Sequence, residues 1–390
     1  MNEIQYWWLI ALPVFFGLGW LAARIDIKHV LSEARSLPAA YFQGLNYLLH
    51  GETNRAVDVY VDIARHHVET VELQFTLGTL FRRRGELERA IRMHQKLLER
   101  RELTDTQRQS AQLELAIDFM KAGLFDRAEA LLHALTDTDY ARQARVELLA
   151  IYQQEHEWRK AIEVAALLRD ESHTYQHEIA QFNCELAGQA LTRGKLDESR
   201  QYLDLALVEH RQCARANLML GELALASGNA EAAIECWLAM EKQDVNYLAL
   251  AARQLVSAYD QLGRGEEVDL LLQRLLRQNP ELDVVDLVYE RLTTRLGVPA
   301  AYEFVRERLR EHPTMPGLRK VLEAHLLVAP DAQKPELEII IRLLNENTRE
   351  HSMYYCRECG FKTRQYFWHC PACNEWETYP PVRGKQGRAA

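Results

Sequence analysis

The chain has 390 residues, 48% hydrophobic and 26% charged, with a net charge of -9. That composition excludes a disordered chain and leaves room for two or three ordinary domains or one long repeat array. The acidic balance argues against a general nucleic-acid binder, which is usually basic, and no basic stripe interleaved with aromatics is present.

The first element in chain order is apolar. From Tyr6 to Ala23 eighteen residues carry no charge, and as a helix they would span roughly 27 Å at 1.5 Å per residue, close to the ~30 Å hydrocarbon core of a bilayer. Tyr6, Trp7 and Trp8 lie at one end and Trp20 near the other, in the manner of an aromatic belt. A cleaved signal peptide is the main alternative, but no Lys or Arg precedes the segment and no A-x-A-like site ends it. A buried core helix is the other. Arg24, Lys28 and Arg35 follow the segment, so the positive-inside rule keeps the remainder of the chain in the cytoplasm. Gly17-Leu-Gly19 falls within this segment and reads as a packing feature, not as a dinucleotide fingerprint. Residues 1–24 are therefore expected to form a transmembrane anchor, and 25–36 a juxtamembrane linker.

A phrase then recurs: glycine, a variable residue, usually an apolar one, two more residues, then a small residue. It appears as Gly51 to Ala56, Gly85 to Ala90, Gly123 to Ala128, His156 to Ala161, Gly194 to Ser199, Gly228 to Ala233, Gly263 to Val268 and Gly297 to Tyr302. The starting positions are 34, 38, 33, 38, 34, 35 and 34 residues apart. Each phrase separates two segments with helical apolar spacing, such as Phe75, Leu77, Leu80 and Phe81 before the turn and Ala90, Ile91, Leu97 and Leu98 after it. Glycine suits the left-handed cap of the first helix, and the small residue lets the second helix approach closely. Leu77-Gly78 with Phe81, Leu115-Ala116 with Phe119, Leu149 with Tyr152 and Gly44 with Tyr47 resemble the tetratricopeptide repeat family. The resemblance covers roughly residues 37–313, with a further degenerate helix pair reaching 348, and weakens where residues 313–335 hold four prolines. An ordinary α-helical domain with chance spacing is the competing reading. The expected fold class is all-α: a tetratricopeptide-repeat superhelical solenoid over 37–348 whose groove receives protein elements.

Signatures of chemistry are mostly missing from the sequence. There is no H-E-x-x-H, no G-x-S-x-G and no phosphate loop, so no catalytic residue is assigned and an enzyme is not expected. His66 and His67 read as surface or packing residues. Arg82, Arg83 and Arg84 end a first helix; they either complement its dipole or grip an acidic partner or anionic lipid. Of seven cysteines, Cys184, Cys213 and Cys236 fall inside helical patterns and read as small packing residues in a reducing compartment.

The other four close the chain. Cys356, Cys359, Cys370 and Cys373 form C-x2-C-x10-C-x2-C, two hooks that can surround one metal ion tetrahedrally. The residue after each hook favours a positive φ, which Gly360 and Asn374 tolerate. A pair of redox dithiols or disulfides is the alternative. His369 reads as partly solvated beside the ligands. Tyr354, Tyr355, Phe361, Phe367, Trp368 and Trp376 give the segment aromatics to cover the metal or to dock against the repeats. Residues 354–380 are similar to the knuckles of rubredoxins and zinc ribbons, with Asn374 standing where rubredoxins usually carry glycine and a far shorter loop between hooks. Iron and zinc both accept four thiolates, and the sequence leaves the choice open. Residues 381–390 read as a flexible tail.

An N-terminal anchor, tetratricopeptide repeats and a terminal knuckle pair, in that order, resemble the lipopolysaccharide assembly protein B family of Gram-negative bacteria. The resemblance implies a single-pass inner-membrane protein facing the cytoplasm. It implies an adaptor that limits lipopolysaccharide synthesis by promoting degradation of the LpxC deacetylase by the FtsH protease, and that gathers other lipopolysaccharide-assembly proteins. Lipopolysaccharide itself is a further candidate ligand. The family's four cysteines match Cys356, Cys359, Cys370 and Cys373. Two rival functions are a rubredoxin-type electron-transfer protein and a redox-regulated chaperone.

Overall fold

The computed structural model describes residues 39–66, 70–170, 174–280, 282–313, 315–351 and 354–382. The expected anchor and linker, His67 and residues 383–390 of the expected tail lie outside them. Among the described residues no helix is long and apolar enough to cross a membrane. The described residues are helical apart from one small antiparallel ladder and the turns that join the elements, and the chain divides into two compact units at Gln154/Glu155.

The first unit contains α1 (Ala39–Leu49), α2 (Thr53–His66), α3 (Val71–Arg83), α4 (Leu87–Leu98), α5 (Asp105–Lys121), α6 (Phe125–His133) and α7 (Ala141–Gln154). The second contains α8 (Trp158–Leu167), α9 (Gln176–Thr192), α10 (Leu196–Glu209), α11 (Ala214–Ala226) and α12 (Ala230–Asp244). After a 3-10 turn at Val245–Tyr247 it continues with α13 (Leu248–Gln261), α14 (Gly265–Gln278), α15 (Val285–Leu296), α16 (Val298–Glu311), α17 (Met315–Val328) and α18 (Lys334–His351). The strands β1 (Tyr354–Tyr355) and β2 (Lys362–Thr363) follow.

Every predicted turn residue has a positive φ, including His156 at 58° in place of glycine. At Gly85 the amide donates to Arg82 O and the Glu86 amide to Phe81 O, a pair of bonds that satisfies the free carbonyls at the end of α3. A Cβ on Gly194 would meet nothing within 4 Å, so only its φ of 73° penalises a side chain. Gly194→Ala should therefore cost about 1–2 kcal/mol. His156→Ala, which exchanges one L-residue for another and loses an edge-on ring contact with Trp158 at 5.2 Å, should cost less, about 0.5 kcal/mol. Urea unfolding of both variants checks the difference.

The predicted small positions Ala56, Ala90, Ala128, Ala161, Ser199, Ala233 and Val268 are each 0% exposed. The eighth phrase is corrected by the structure. Tyr302 is half-buried and Ala301 takes the closed position. The reason is a shortened turn: Gly297 ends α15 and also caps α16, so the second helix starts one residue early, with Pro299 in its first turn.

Glycines inside first helices admit a large side chain sixteen residues later. A Cβ on Gly44 would lie 2.8 Å from Tyr60, on Gly78 2.3 Å from His94 Nε2, and on Gly221 2.2 Å from Trp237 Nε1. Trp237 is fully buried and donates its indole N–H to Leu218 O at 3.1 Å.

Arg82 lies in the last turn of α3, as the dipole role requires, and the acids it grips are internal to the fold. Its guanidinium donates to Asp118 at 2.8 Å and Glu114 at 2.5 Å, and Asp118 also lies 2.6 Å from His94 Nδ1. This internal strut ties α3, α4 and α5 together. A buried carboxylate at the second helix pair demands such partners. Arg84 pairs with Glu86 at 2.9 Å, while Arg83 is exposed.

Candidate metal centre

The hooks are built twice over on one plan. Gly360 N–H donates to Cys356 O and Asn374 N–H to Cys370 O, while Cys356 N–H donates to Phe361 O and Cys370 N–H to Glu375 O. Gly360 and Asn374 have φ of 74° and 60°, as the sequence led one to expect. β1 and β2 pair Tyr355 with Lys362, and an isolated bridge pairs His369 with Trp376 fourteen residues later in the same register. Two copies of one turn thus face each other.

All four Sγ atoms lie within 4.8 Å of one another. Cys356 and Cys373 are 3.7 Å apart, as are Cys359 and Cys370. A tetrahedron with metal–sulfur bonds of about 2.3 Å has edges of about 3.8 Å, so the donor set fits a four-sulfur ion. Iron and zinc fit this spacing equally. Each hook pairs one buried sulfur, Cys356 or Cys370, with a more exposed one, Cys359 or Cys373.

Burial opposes ionisation of Cys370, but the Tyr379 hydroxyl and the Cys373 and Ala372 amides outweigh it and hold the thiol down at about 6. Burial likewise opposes ionisation of Cys356; the Cys359 and Glu358 amides and the Thr378 hydroxyl bring it below the usual range. Burial pushes Cys373 up to about 12. A bound cation would draw all four to thiolates. His369 is not a ligand: its Nε2 lies 2.9 Å from Asn374 O and its ring stacks on Trp376 at 4.3 Å.

The module is fastened to the repeat helices of its own unit. Trp376 meets Trp158 edge-on at 6.0 Å and Phe182 at 5.9 Å. Trp368 stacks on Tyr247 at 5.3 Å with 14° between the planes. Arg215 lies 5.9 Å from both indole rings and donates to Glu185 at 2.8 Å. Glu377, at a φ of 51°, lies 2.8 Å from His177 Nε2 and accepts from Gln181 Nε2 at 2.7 Å. Of the aromatics expected to dock, Trp368 and Trp376 do so, while Phe361 is 42% exposed.

The rubredoxin metal binding domain family matches residues 354–381, and the tetratricopeptide repeat family matches 184–244. Over 382 residues the chain is 36% identical to lipopolysaccharide assembly protein B of Escherichia coli strain K12, covering 97% of this chain and 98% of that one. The chain belongs to the lipopolysaccharide assembly protein B family. The Haemophilus influenzae protein of that name is 31% identical over 390 residues, again covering 97% of this chain and 98% of the relative.

In this family member the sequence located the four cysteines and missed the surface beneath them. His177, Gln181, Arg215, Tyr247 and Glu377 belong to no spacing motif. Trp158 left a trace: it stands where other repeats carry Leu87, Phe125 and Leu196, yet it is only 2% exposed whereas Leu196 is 46% exposed.

The docking should depend on pH. The hydrogen bond that His177 donates to Glu377, against the opposing effect of burial, raises His177 above its usual range. Below about 6.5 the imidazole is protonated whether docked or free, and the contact stabilises fully. As pH rises further the free imidazole loses its proton first, and the stabilisation is lost as pH passes through the raised docked value. Hydrogen exchange of the module amides should accelerate from pH 6 to pH 9 beyond the intrinsic rate. Glu377→Gln should remove the excess, and an unchanged excess would refute the latch.

Proposed function

We propose that this protein is a membrane-tethered adaptor of lipopolysaccharide assembly that acts by binding proteins and breaks no bonds itself. One observation carries the reading: the metal site has four cysteine donors, and its module is clamped onto repeat helices. A tetrahedron closed by four protein ligands keeps no position open for a substrate, which is the arrangement of a structural ion. Such an ion fixes a surface. Helical repeats present protein-binding surfaces of this kind.

Membership in a family named for lipopolysaccharide assembly supplies the process. The apolar stretch Tyr6–Ala23 followed by Arg24, Lys28 and Arg35 supports an inner-membrane anchor with the repeats on the cytoplasmic side. Tethering confines the adaptor near membrane-bound partners and raises its effective concentration. The proposed clients are the FtsH protease and the LpxC deacetylase, with the adaptor promoting proteolysis of the latter, together with other lipopolysaccharide-assembly proteins. Cys356, Cys359, Cys370 and Cys373 hold the iron or zinc.

Cross-linking and pull-down from membranes tests the proposal, with the full chain compared with one lacking residues 1–23. The full chain should recover both clients and the shortened one should recover far less. Equal recovery would remove the tethering argument, and recovery of neither client would remove the assignment. A reversible one-electron potential with a matching reductase would instead favour electron transfer.

A further inference from the structure

A sulfur pair unconnected with the metal lies next to the latch. Cys184 and Cys213 are each 0% exposed, and their Sγ atoms are 3.9 Å apart. Cys184 sits in α9, and Cys213 caps the start of α11, so the pair joins first helices of neighbouring repeats. Gln181 connects the pair to the module: its Nε2 lies 3.8 Å from Cys213 Sγ and 2.7 Å from Glu377 Oε1.

The two sulfurs have different surroundings. Cys213 stands at a helix N-terminus, where free amides favour negative charge. The hydrogen bond from Cys184 leads in holding its thiol down at about 6; His210 and the Ala216 amide assist, and burial opposes. Cys184 has no such support. Its hydrogen bond to Cys213, and then burial, push it well above the usual range. One readily ionised sulfur beside one that keeps its proton is the division between an attacking and a resolving thiol.

We propose that Cys213 and Cys184 are a peroxide-sensitive dithiol that closes to a disulfide between two repeats, Cys213 attacking and Cys184 resolving. The Cys213 thiolate attacks one oxygen of a hydroperoxide. The O–O bond breaks, a sulfenic acid forms, and hydroxide leaves to take up the proton Cys213 had released. The Cys184 sulfur then attacks the Cys213 sulfur. The S–S bond forms, the S–O bond breaks, and the departing hydroxide takes the Cys184 proton. Two thiols and one hydrogen peroxide become one disulfide and two waters, with two electrons passing from sulfur to the O–O bond. Closing to the bond length of about 2.05 Å needs the two sulfurs to approach by about 1.9 Å. Reducing conditions in the cytoplasm would keep such a bond transient and responsive.

Because both sulfurs are enclosed and Gln181 links them to Glu377, oxidation should be gated by the latch. The test uses the full-length, metal-loaded protein with hydrogen peroxide, alkylation of remaining thiols and peptide mapping without reductant. The cross-linked peptide containing Cys184 and Cys213 should form in the native chain, and about tenfold faster in Glu377→Ala, where local opening is easier. Cys184→Ser, which keeps a hydroxyl to donate to Cys213, should leave Cys213 as a sulfenic acid that dimedone labels; Cys213→Ala should leave Cys184 reduced. Circular dichroism confirms that each variant keeps its helices. The proposal is overturned if neither native nor Glu377→Ala protein gives the cross-link under conditions that oxidise the half-buried Cys236. It is also overturned if Cys213 stays unlabelled in folded Cys184→Ser.

Discussion

Replacing Cys356 and Cys359 by serine should abolish metal binding and unfold the terminal module while leaving the repeat helices formed. The module's regular ladder is two residue pairs long, and its buried cluster comprises only Tyr354, Cys356, Cys370 and Tyr379. A core of that size cannot offset the conformational entropy of nearly thirty residues. Metal coordination in comparable small sites contributes about 10–16 kcal/mol, far above the ~1 kcal/mol of each backbone hydrogen bond. Once unfolded, the module withdraws Trp376 from Trp158 and Phe182, and Trp368 from Tyr247. Aromatic pairs of this kind are worth about 0.5–1.5 kcal/mol each beyond their buried area. The second unit should then melt roughly 5–10 °C lower. Metal analysis should fall from one ion per chain to none, and tryptophan emission should shift to the red with little change in helical circular dichroism. Unchanged metal content, or indoles that remain shielded, would contradict the assignment of the ligands and of the dock.

Trp237→Ala should be the most damaging single substitution in the repeat core, at about 3–5 kcal/mol. The indole is fully buried in the cluster formed by Leu218, Ile234, Leu248 and Leu255, and its N–H satisfies the Leu218 carbonyl. Truncation leaves both a cavity and an unpaired acceptor. Gly221→Ala acts from the opposite side: its methyl would meet the indole at 2.2 Å, and overpacking of this kind costs about 1–3 kcal/mol. The two substitutions should not add. In the double variant the new methyl enters space vacated by the indole, so the loss should fall below the sum by roughly 1 kcal/mol or more. Strict additivity in urea unfolding would show that Gly221 does not exist to admit Trp237.

Much of the helical architecture could be read before any coordinates because its causes are local. Gly85 and Gly194 end helices through their own backbone, and Ala90 and Ala161 close a helix pair a few residues away. The knuckles were legible for the same reason, since each hook closes within five residues, from Cys356 N–H to Phe361 O. The eighth turn misled because a proline and a doubly used glycine shorten it by one residue, a change that spacing alone does not reveal. The acids that hold Arg82 could not be foreseen, because Asp118 lies thirty-six residues on, in the next repeat.

The sequence by itself determined the repeat period, the positions of the turns and the four sulfurs that gather at the end of the chain. These follow from helical periodicity, backbone φ and ligand spacing, all of which act over a few residues. Only the tertiary structure decided where the metal module rests. Glu377 finds His177 across two hundred residues, Trp376 finds Trp158 and Phe182, and the same packing brings Cys213 to Cys184. No local rule encodes those meetings, because they depend on which faces the stacked helices turn toward one another.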